Sequence, residues 1–343
     1  MSIQTPPRVV VADDSAMMRQ IVSSSLSRAG VQIVGSAANG DEALVACDRE
    51  KPDALMLDLS MPGLDGIGVL RALRQRGRSD MPVIVVSAFS PAQGARAVDA
   101  LAEGAFDLVA KPAVGESLDQ FAKALVDKVK AATRGRLGGT TGRRAPSQPT
   151  RRHTRSNVAR AVLIATSTGG PKALAALTPD LPAKLGIGTL IVQHMPPGFT
   201  KSLAARLDNA SPLSIREADG GEMLDPGVAL LAPGGKHMRV GLGGRITLTD
   251  EPEIGALRPR ADLMIADAAK VFGERTLLVV MTGMGNDGLV GAEEVKKRGG
   301  RILVEAQSTC TVYGMPRAVE EAKLADEVLP LHELAHAIAE EAA

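Results

Sequence analysis

Ser167 lies in the stretch LIATSTGGP, residues 163–171, between two threonines, after an apolar run and before two glycines. Three things fit such a place: an ordinary strand-to-helix turn, a phosphate-binding loop, or a nucleophile held on a tight bend. A P-loop needs G-x-x-x-x-G-K-[ST], but here Lys172 follows Pro171 and the spacing fails; this stretch also lacks G-x-G-x-x-G. What remains, Ala165 to Gly169, is small-x-Ser-x-Gly, close to the nucleophile elbow of serine hydrolases. Small neighbours permit a sharp bend, and Pro171 suits the first turn of a following helix. The amides at that helix start then face any negative charge that develops beside Ser167.

A serine nucleophile needs a base, and the chain holds five histidines. His194 ends the apolar run TLIVQH and precedes the stiff turn MPPGFT, which places it on the same edge as Ser167. His153 falls in an arginine-rich stretch, and His237, in PGGKHM, reads as a turn or surface histidine. His332 and His336 form HELAH near the C-terminus. This matches the zinc motif H-E-x-x-H but reads as a chance match on a solvated helix, with no third ligand in view. The acid that would orient His194 is Asp287, in the glycine-rich TLLVVMTGMGNDG of residues 276–288. The backbone amides of Thr168 and Met284 are the candidate oxyanion donors.

A second group of chemical residues lies earlier. Asp13 and Asp14 follow RVVVA, Asp58 follows ALML, Ser87 follows VIVV, and Lys111 follows FDLVA. Three carboxylates at one sheet edge repel one another unless a cation neutralises them. Oxygen ligands of this kind favour Mg²⁺. A lysine and a hydroxyl beside them suit a phosphoryl group, and a carboxylate can accept one as an aspartyl-phosphate.

The elements that must position these residues alternate. Short β-branched runs are separated by helical stretches on both sides of residues 131–157, which predicts mostly parallel sheets with helices on both faces. In such sheets the functional groups collect at the carboxyl ends of the strands. MRVGLGGRITLT, residues 238–249, interrupts the pattern as an antiparallel hairpin. Residues 131–157 carry seven arginines and no acid, with Gly, Pro, Ser and Thr filling most of the rest. This is the composition of a linker. The expected division is therefore a domain over 1–130, a flexible linker over 131–157 and a second domain over 158–343.

Composition narrows the classes. Net charge is +1, aromatics make up 2% and Trp is absent, which argues against nucleic acid as a partner. Cys47 and Cys310 stand alone and form no disulfide framework. No long apolar span and no leader-like N-terminus is seen, so a cytoplasmic protein without membrane insertion is expected.

ADDS, MLDLSMPGLDG, VVSA and AKP, in this order, resemble the signature of response-regulator receiver domains. STGGP, QHMPPGFT, LAPGGKHM and TGMGNDG resemble the catalytic half of the chemotaxis protein-glutamate methylesterases, as does LVEAQSTCTVYGMPRA. The resemblance implies a flavodoxin-like, doubly wound receiver joined to an α/β hydrolase domain. It implies Asp58 as phospho-acceptor, Asp14 as direct and Asp13 as water-mediated Mg²⁺ ligand, and Ser87 and Lys111 as support for the phosphoryl group. It implies Ser167, His194 and Asp287 as a triad needing no cofactor. The implied activity is hydrolysis of γ-glutamyl methyl esters, and deamidation of glutamines, on methyl-accepting chemoreceptors. The implied phosphodonor is a chemotaxis histidine kinase, with the unphosphorylated receiver restricting the catalytic cleft. Two positions depart from the pattern: Leu108 stands where many receivers have an aromatic residue, and Thr166 where the esterases usually have Ala. Other classes considered are a DNA-binding regulator, a non-catalytic phospho-dependent binding protein, and a serine hydrolase of another ester. More acids than bases beyond residue 157 and the absence of a short basic helix argue against the first.

Overall fold

The computed structural model describes residues 5–88, 90–112, 117–137 and 159–343. The chain divides into two compact units, residues 1–140 and 141–343.

The first unit is a five-stranded parallel sheet between helices. Along the chain it reads β1 (Arg8–Ala12), α1 (Ala16–Arg28), β2 (Gln32–Ala37), α2 (Gly40–Glu50), β3 (Ala54–Leu57), α3 (Gly66–Gln75), β4 (Val83–Ser87), α4 (Pro91–Ala102), β5 (Asp107–Ala110) and α5 (Leu118–Leu137). The spatial order is β2-β1-β3-β4-β5, doubly wound with its switch point between β1 and β3. Strands β3 and β4 are buried at every position, as expected of a sheet covered on both faces. Polar residues set the helix starts: Ser15, Asn39, Asp65 and Ser90 each accept a bond from a first-turn amide.

One expected boundary moves. Helix α5 runs to Leu137, so residues 131–137 of the expected linker are helical. Ala132 is buried and the Thr133 hydroxyl donates to the Val129 carbonyl, so packing continues past residue 130, and Ala, Arg and Leu are good helix formers. The rest of the expected linker, 138–157, and His153 within it lie outside the described residues, which resume at Ala159.

The second unit reads β6 (Ala161–Thr166), α6 (Gly170–Leu177), β7 (Gly188–Gln193), α7 (Phe199–Asp208), β8 (Ser214–Glu217), β9 (Val228–Leu231), β10 (His237–Val240), β11 (Ile246–Thr249), α8 (Ala261–Phe272), β12 (Thr276–Val280), α9 (Leu289–Lys297), β13 (Arg301–Glu305), α10 (Met315–Glu321), β14 (Glu327–Leu329) and α11 (Leu331–Ala342). Seven strands form one parallel sheet in the order β14-β13-β12-β6-β7-β9-β8, and β10 and β11 pair antiparallel as the hairpin expected there. Every residue of β6, β7 and β12 is buried. Leu163, Leu190 and Leu278 join the same core as Met264 and Ile265 of α8. Each such burial contributes about 1.5–3 kcal/mol.

Register brings the site together. Thr166 pairs with Gln193, so Ser167 and His194 are the next residues on neighbouring strands. Val280 pairs with Ala165, so the 281–288 loop leaves the sheet on the other side of Ser167. The strand order reverses between β12 and β6, and the three loops meet at that switch point.

Candidate functional site

Ser167 begins the turn that the sequence leads one to expect. Its amide donates to the Thr282 carbonyl at 3.0 Å, and its carbonyl accepts from the Gly170 amide at 2.8 Å and from Gln193 Nε2 at 2.9 Å. Gly169 adopts φ 79°, and a Cβ there would lie 2.4 Å from Thr311, so only glycine fits both the bend and the space. The Thr166 hydroxyl is buried and donates to the Thr282 carbonyl at 3.1 Å. The hydroxyl that departs from the resembled pattern thus ties the end of β6 to the next loop, beside the bond that Ser167 makes.

His194 stands one residue beyond β7, and its amide donates to the Thr166 carbonyl at 3.1 Å. The turn after it is wedged: a Cβ on Gly234 would lie 2.4 Å from the Pro196 carbonyl oxygen, and the Gly234 amide donates to the Thr200 hydroxyl at 3.0 Å. The His194 ring is almost fully buried, with Nε2 2.7 Å from Asp287 Oδ2. A carboxylate only accepts, so in the neutral ring Nε2 carries the proton and Nδ1 the lone pair. Nδ1 is buried and has no hydrogen-bond partner. Nδ1 therefore makes no hydrogen bond to Ser167 Oγ in this arrangement.

Asp287 is 1% exposed and fully bonded. Oδ2 accepts from the Ala261 amide at 2.7 Å, and Oδ1 from the amides of Asp262 and Gly288 at 2.9 Å each. Arg260 Nε lies 3.2 Å from Oδ1. Burial works to raise its pKa, but the bond and charge of His194 and the amides of Asp262 and Ala261 prevail and hold it well below the usual carboxylate range. Asp287 is ionised and sits on the first amides of α8.

Segment 303–318 buttresses this loop. The Gly283 amide donates to the Val312 carbonyl at 3.0 Å, and the Gly283 carbonyl accepts from the Gly314 and Met315 amides at 3.0 and 2.9 Å. Buried Glu305 accepts from the Thr282 amide at 2.8 Å and from the Thr309 hydroxyl at 3.0 Å, with its pKa raised by burial. The Gly283 amide is thus committed to segment 303–318, and Met284 follows it in the loop. Met284 is partly exposed.

Sequence reasoning missed several partners. Arg260, Asp262 and Glu305 lie in no motif that singles them out in the sequence. Gln193 had only its place beside His194 as a signal. Gly283, Gly285 and Gly288 have G-x-G-x-x-G spacing between a strand and a helix, the context of a dinucleotide loop. Here the Gly288 and Gly291 amides at the start of α9 are taken by Asp262 Oδ1, at 2.9 Å each, where a pyrophosphate would sit. His237 is corrected: it is fully buried, not on the surface. Its Nδ1 accepts from the Arg260 amide at 3.2 Å while Nε2 lies 3.2 Å from the Pro252 carbonyl. His332 and His336 are 75% and 81% exposed on α11, each beside a glutamate of that helix.

In the first unit, Asp13, Asp14 and Asp58 place carboxylate oxygens within 4.8 Å of one another at the switch point, the only such group of potential metal ligands among the described residues. Lys111 Nζ lies 2.7 Å from Asp13 and 2.9 Å from Asp58. Burial opposes the Lys111 charge, but its bonds to the two carboxylates outweigh that and raise its pKa; burial also raises that of Asp13, against Lys111. One ammonium against three carboxylates leaves net negative charge in a mostly buried spot, and a hard divalent cation fits that deficit. Ser87 is buried at the end of β4, and Leu108 is buried within β5. Around Asp58, Gln93 Nε2 of α4 bonds the Ser60 hydroxyl at 2.7 Å and Arg96 bonds the Leu59 carbonyl at 3.0 Å.

A doubly wound sheet with an acid cluster and lysine at its switch point is a receiver, and a parallel α/β sheet with a buried His–Asp pair beside a strand-end serine has the layout of a serine hydrolase. Comparison with known families agrees: residues 9–123 match the response regulator receiver domain and residues 162–338 match the CheB methylesterase. A protein of Symbiobacterium thermophilum named protein-glutamate methylesterase/protein-glutamine glutaminase is 43% identical, covering 98% of this chain and 97% of its own. One of the same name from Pyrococcus abyssi is 40% identical over 95% of this chain and 91% of its own. The crystal structure of the Thermotoga maritima CheB methylesterase catalytic domain is 41% identical with TM-score 0.52, covering 53% of this chain and 98% of that one. The chain belongs to the protein-glutamate methylesterase/protein-glutamine glutaminase family: it is a methylesterase that carries a receiver domain. No helix among the described residues is long and apolar enough to cross a membrane.

Proposed function

We propose that Ser167, His194 and Asp287 act as one triad on glutamate methyl esters and on certain glutamines of methyl-accepting chemoreceptors. The observation that carries this is the buried His194–Asp287 pair, 2.7 Å apart, with Nδ1 left unpartnered on the edge that begins with Ser167. Ser167 Oγ attacks the side-chain carbonyl carbon as its proton passes to His194 Nδ1. Asp287 holds the imidazolium through Nε2, and the Thr168 and Met284 amides receive the oxyanion. The tetrahedral adduct collapses as the proton on Nδ1 goes to the leaving group, giving methanol or ammonia. Water, deprotonated by the same nitrogen, then attacks the acyl-enzyme, restoring Ser167 and leaving glutamate.

Regulation enters through Asp58, the proposed acceptor of a phosphoryl group from a chemotaxis histidine kinase. Asp13, Asp14 and Asp58 would hold Mg²⁺, which supplies charge neutralisation for the incoming phosphoryl group. Lys111 and Ser87 stand ready to bind its oxygens.

The test is methanol release from methyl-esterified receptor, and ammonia release from receptor with glutamine at those positions. Ser167→Ala and His194→Ala should each remove most of both activities, and the double variant should lose no more than either alone. Losses that multiply would contradict a shared mechanism.

A further inference from the structure

Asp287 and Asp262 exchange helices. Asp287 belongs to the loop that opens α9, yet its carboxylate accepts from the first amides of α8, those of Ala261 and Asp262. Asp262 is in the first turn of α8, yet its Oδ1 accepts from Gly288 and Gly291 at the start of α9. Each carboxylate gains the favourable end of the other helix dipole. The exchange also places two buried acids side by side, 7% and 1% exposed, where like charges repel strongly. Arg260 answers both: Nη2 lies 2.8 Å from Asp262 Oδ2, and Nε 3.2 Å from Asp287 Oδ1. Its backbone amide donates to His237 Nδ1 at 3.2 Å, and its guanidinium Nη1 donates to the Ile254 carbonyl at 3.1 Å.

We propose that Arg260 and Asp262 are positioning residues of the hydrolytic site: Arg260 bridges the two exchanged carboxylates and so holds Asp287 aimed at His194. This rests on the reading of His194 and Asp287 as the base and its orienter. The charged groups around Asp287 are His194 from the end of β7, Arg260 from the loop before α8, and Asp262 of α8; α9 contributes only amides, and His237 of β10 reaches the group only through the Arg260 backbone. Without Arg260 the cluster becomes more negative. Protonation of the coupled cluster as a whole becomes easier. Such protons belong to the coupled set, so the observable is the acid limb of the pH–rate profile.

The experiment measures methanol release against pH for the full-length chain and its variants. Arg260→Met should move the acid limb upward by roughly 1–3 pH units. Arg260→Lys, which keeps the charge, should hold the limb near the parent's. Asp262→Asn alone should move it downward, because the amide oxygen still caps α9 while a repelling charge is gone. Combined with Arg260→Met it should bring the limb back toward the parent's. A limb that stays put in Arg260→Met while the plateau falls would reduce Arg260 to packing and overturn the proposal. So would a double variant no better than Arg260→Met. If Arg260→Met fails to fold, the Asp262→Asn limb decides: unmoved or raised, the proposal fails. Asp287→Ala in the same assay separates the two layers. If it keeps full activity, the triad reading falls; if it is inactive while the limb ignores Arg260 and Asp262, only this inference falls.

Discussion

Gly283→Ala should slow the enzyme while leaving it folded, through one methyl group. Gly283 does not take a positive φ, so alanine adds no backbone strain there. The added Cβ would lie 2.4 Å from Met315 Sδ, 2.9 Å from Ser167 Cβ and 3.1 Å from the Ser167 amide nitrogen. Ordinary contact begins near 3.4 Å, so Ser167 must retreat by about 0.5 Å and the sulfur by about 1 Å. Met315 is fully buried, so the sulfur has little room, and the strain falls partly on the nucleophile. Overpacking of this kind costs about 1–3 kcal/mol. A misplacement of about 1 Å costs on the order of 10²-fold in rate, so a shift half as large should lower kcat on the order of tenfold or more. Gly285→Ala is the control. It meets nothing within 4 Å but sits at φ 86°, so it should lose about 1–2 kcal/mol of stability with a smaller effect on kcat. Methanol release and chemical denaturation of both variants make the comparison. Gly283→Ala with the parent's kcat would refute the placement of Ser167 against this loop.

Three further outcomes are expected. Asp287 is held below its unfolded pKa, so the stability it confers is complete above about pH 4 and is lost as pH falls toward the folded value; in denaturation series, the parent's advantage over Asp287→Asn should shrink below pH 4, and a constant gap would argue against an ionised Asp287. Asp58→Asn should keep basal demethylation but lose stimulation by acetyl phosphate, chelation of Mg²⁺ should block that stimulation alone, and a chain starting at residue 158 should outpace the unphosphorylated parent if the receiver restrains the hydrolase. Cys47 is buried with its pKa pushed up to about 11, so iodoacetamide should leave it unlabelled in the native protein at pH 8 and label it on unfolding.

Much of this was legible in the residues because strands buried on both faces leave long apolar runs. RVVVA, VIVV, TLIVQ and TLLVV each announce a strand, and the polar residue that ends each run lies at the carboxyl edge. Strands β8 and β14 were not legible for the complementary reason. They are the sheet's edges, and SIRE and EVL carry charges that guard such edges instead of an apolar run. Ser167, His194 and Asp287 were visible as residue types in tight, glycine-bearing loops. Arg260, Asp262 and Glu305 were not, because their roles arise from helices and strands packed far apart in sequence. An aspartate in a first helical turn looks the same whether it caps its own helix or, as Asp262 does, another one. His237 misled in the same way: the proline and glycines before it suggest an exposed turn, whereas the loop ending at Arg260 folds over it.

We propose Ser167 as the nucleophile of a hydrolase acting on methyl-esterified glutamate. Its most direct test is methanol release from methyl-labelled receptor by the parent and by Ser167→Ala, at equal concentration and with matched thermal stability. The parent should release methanol, and the variant should do so at a rate lower on the order of 10⁴-fold or more. Release by Ser167→Ala at a rate near the parent's would contradict it.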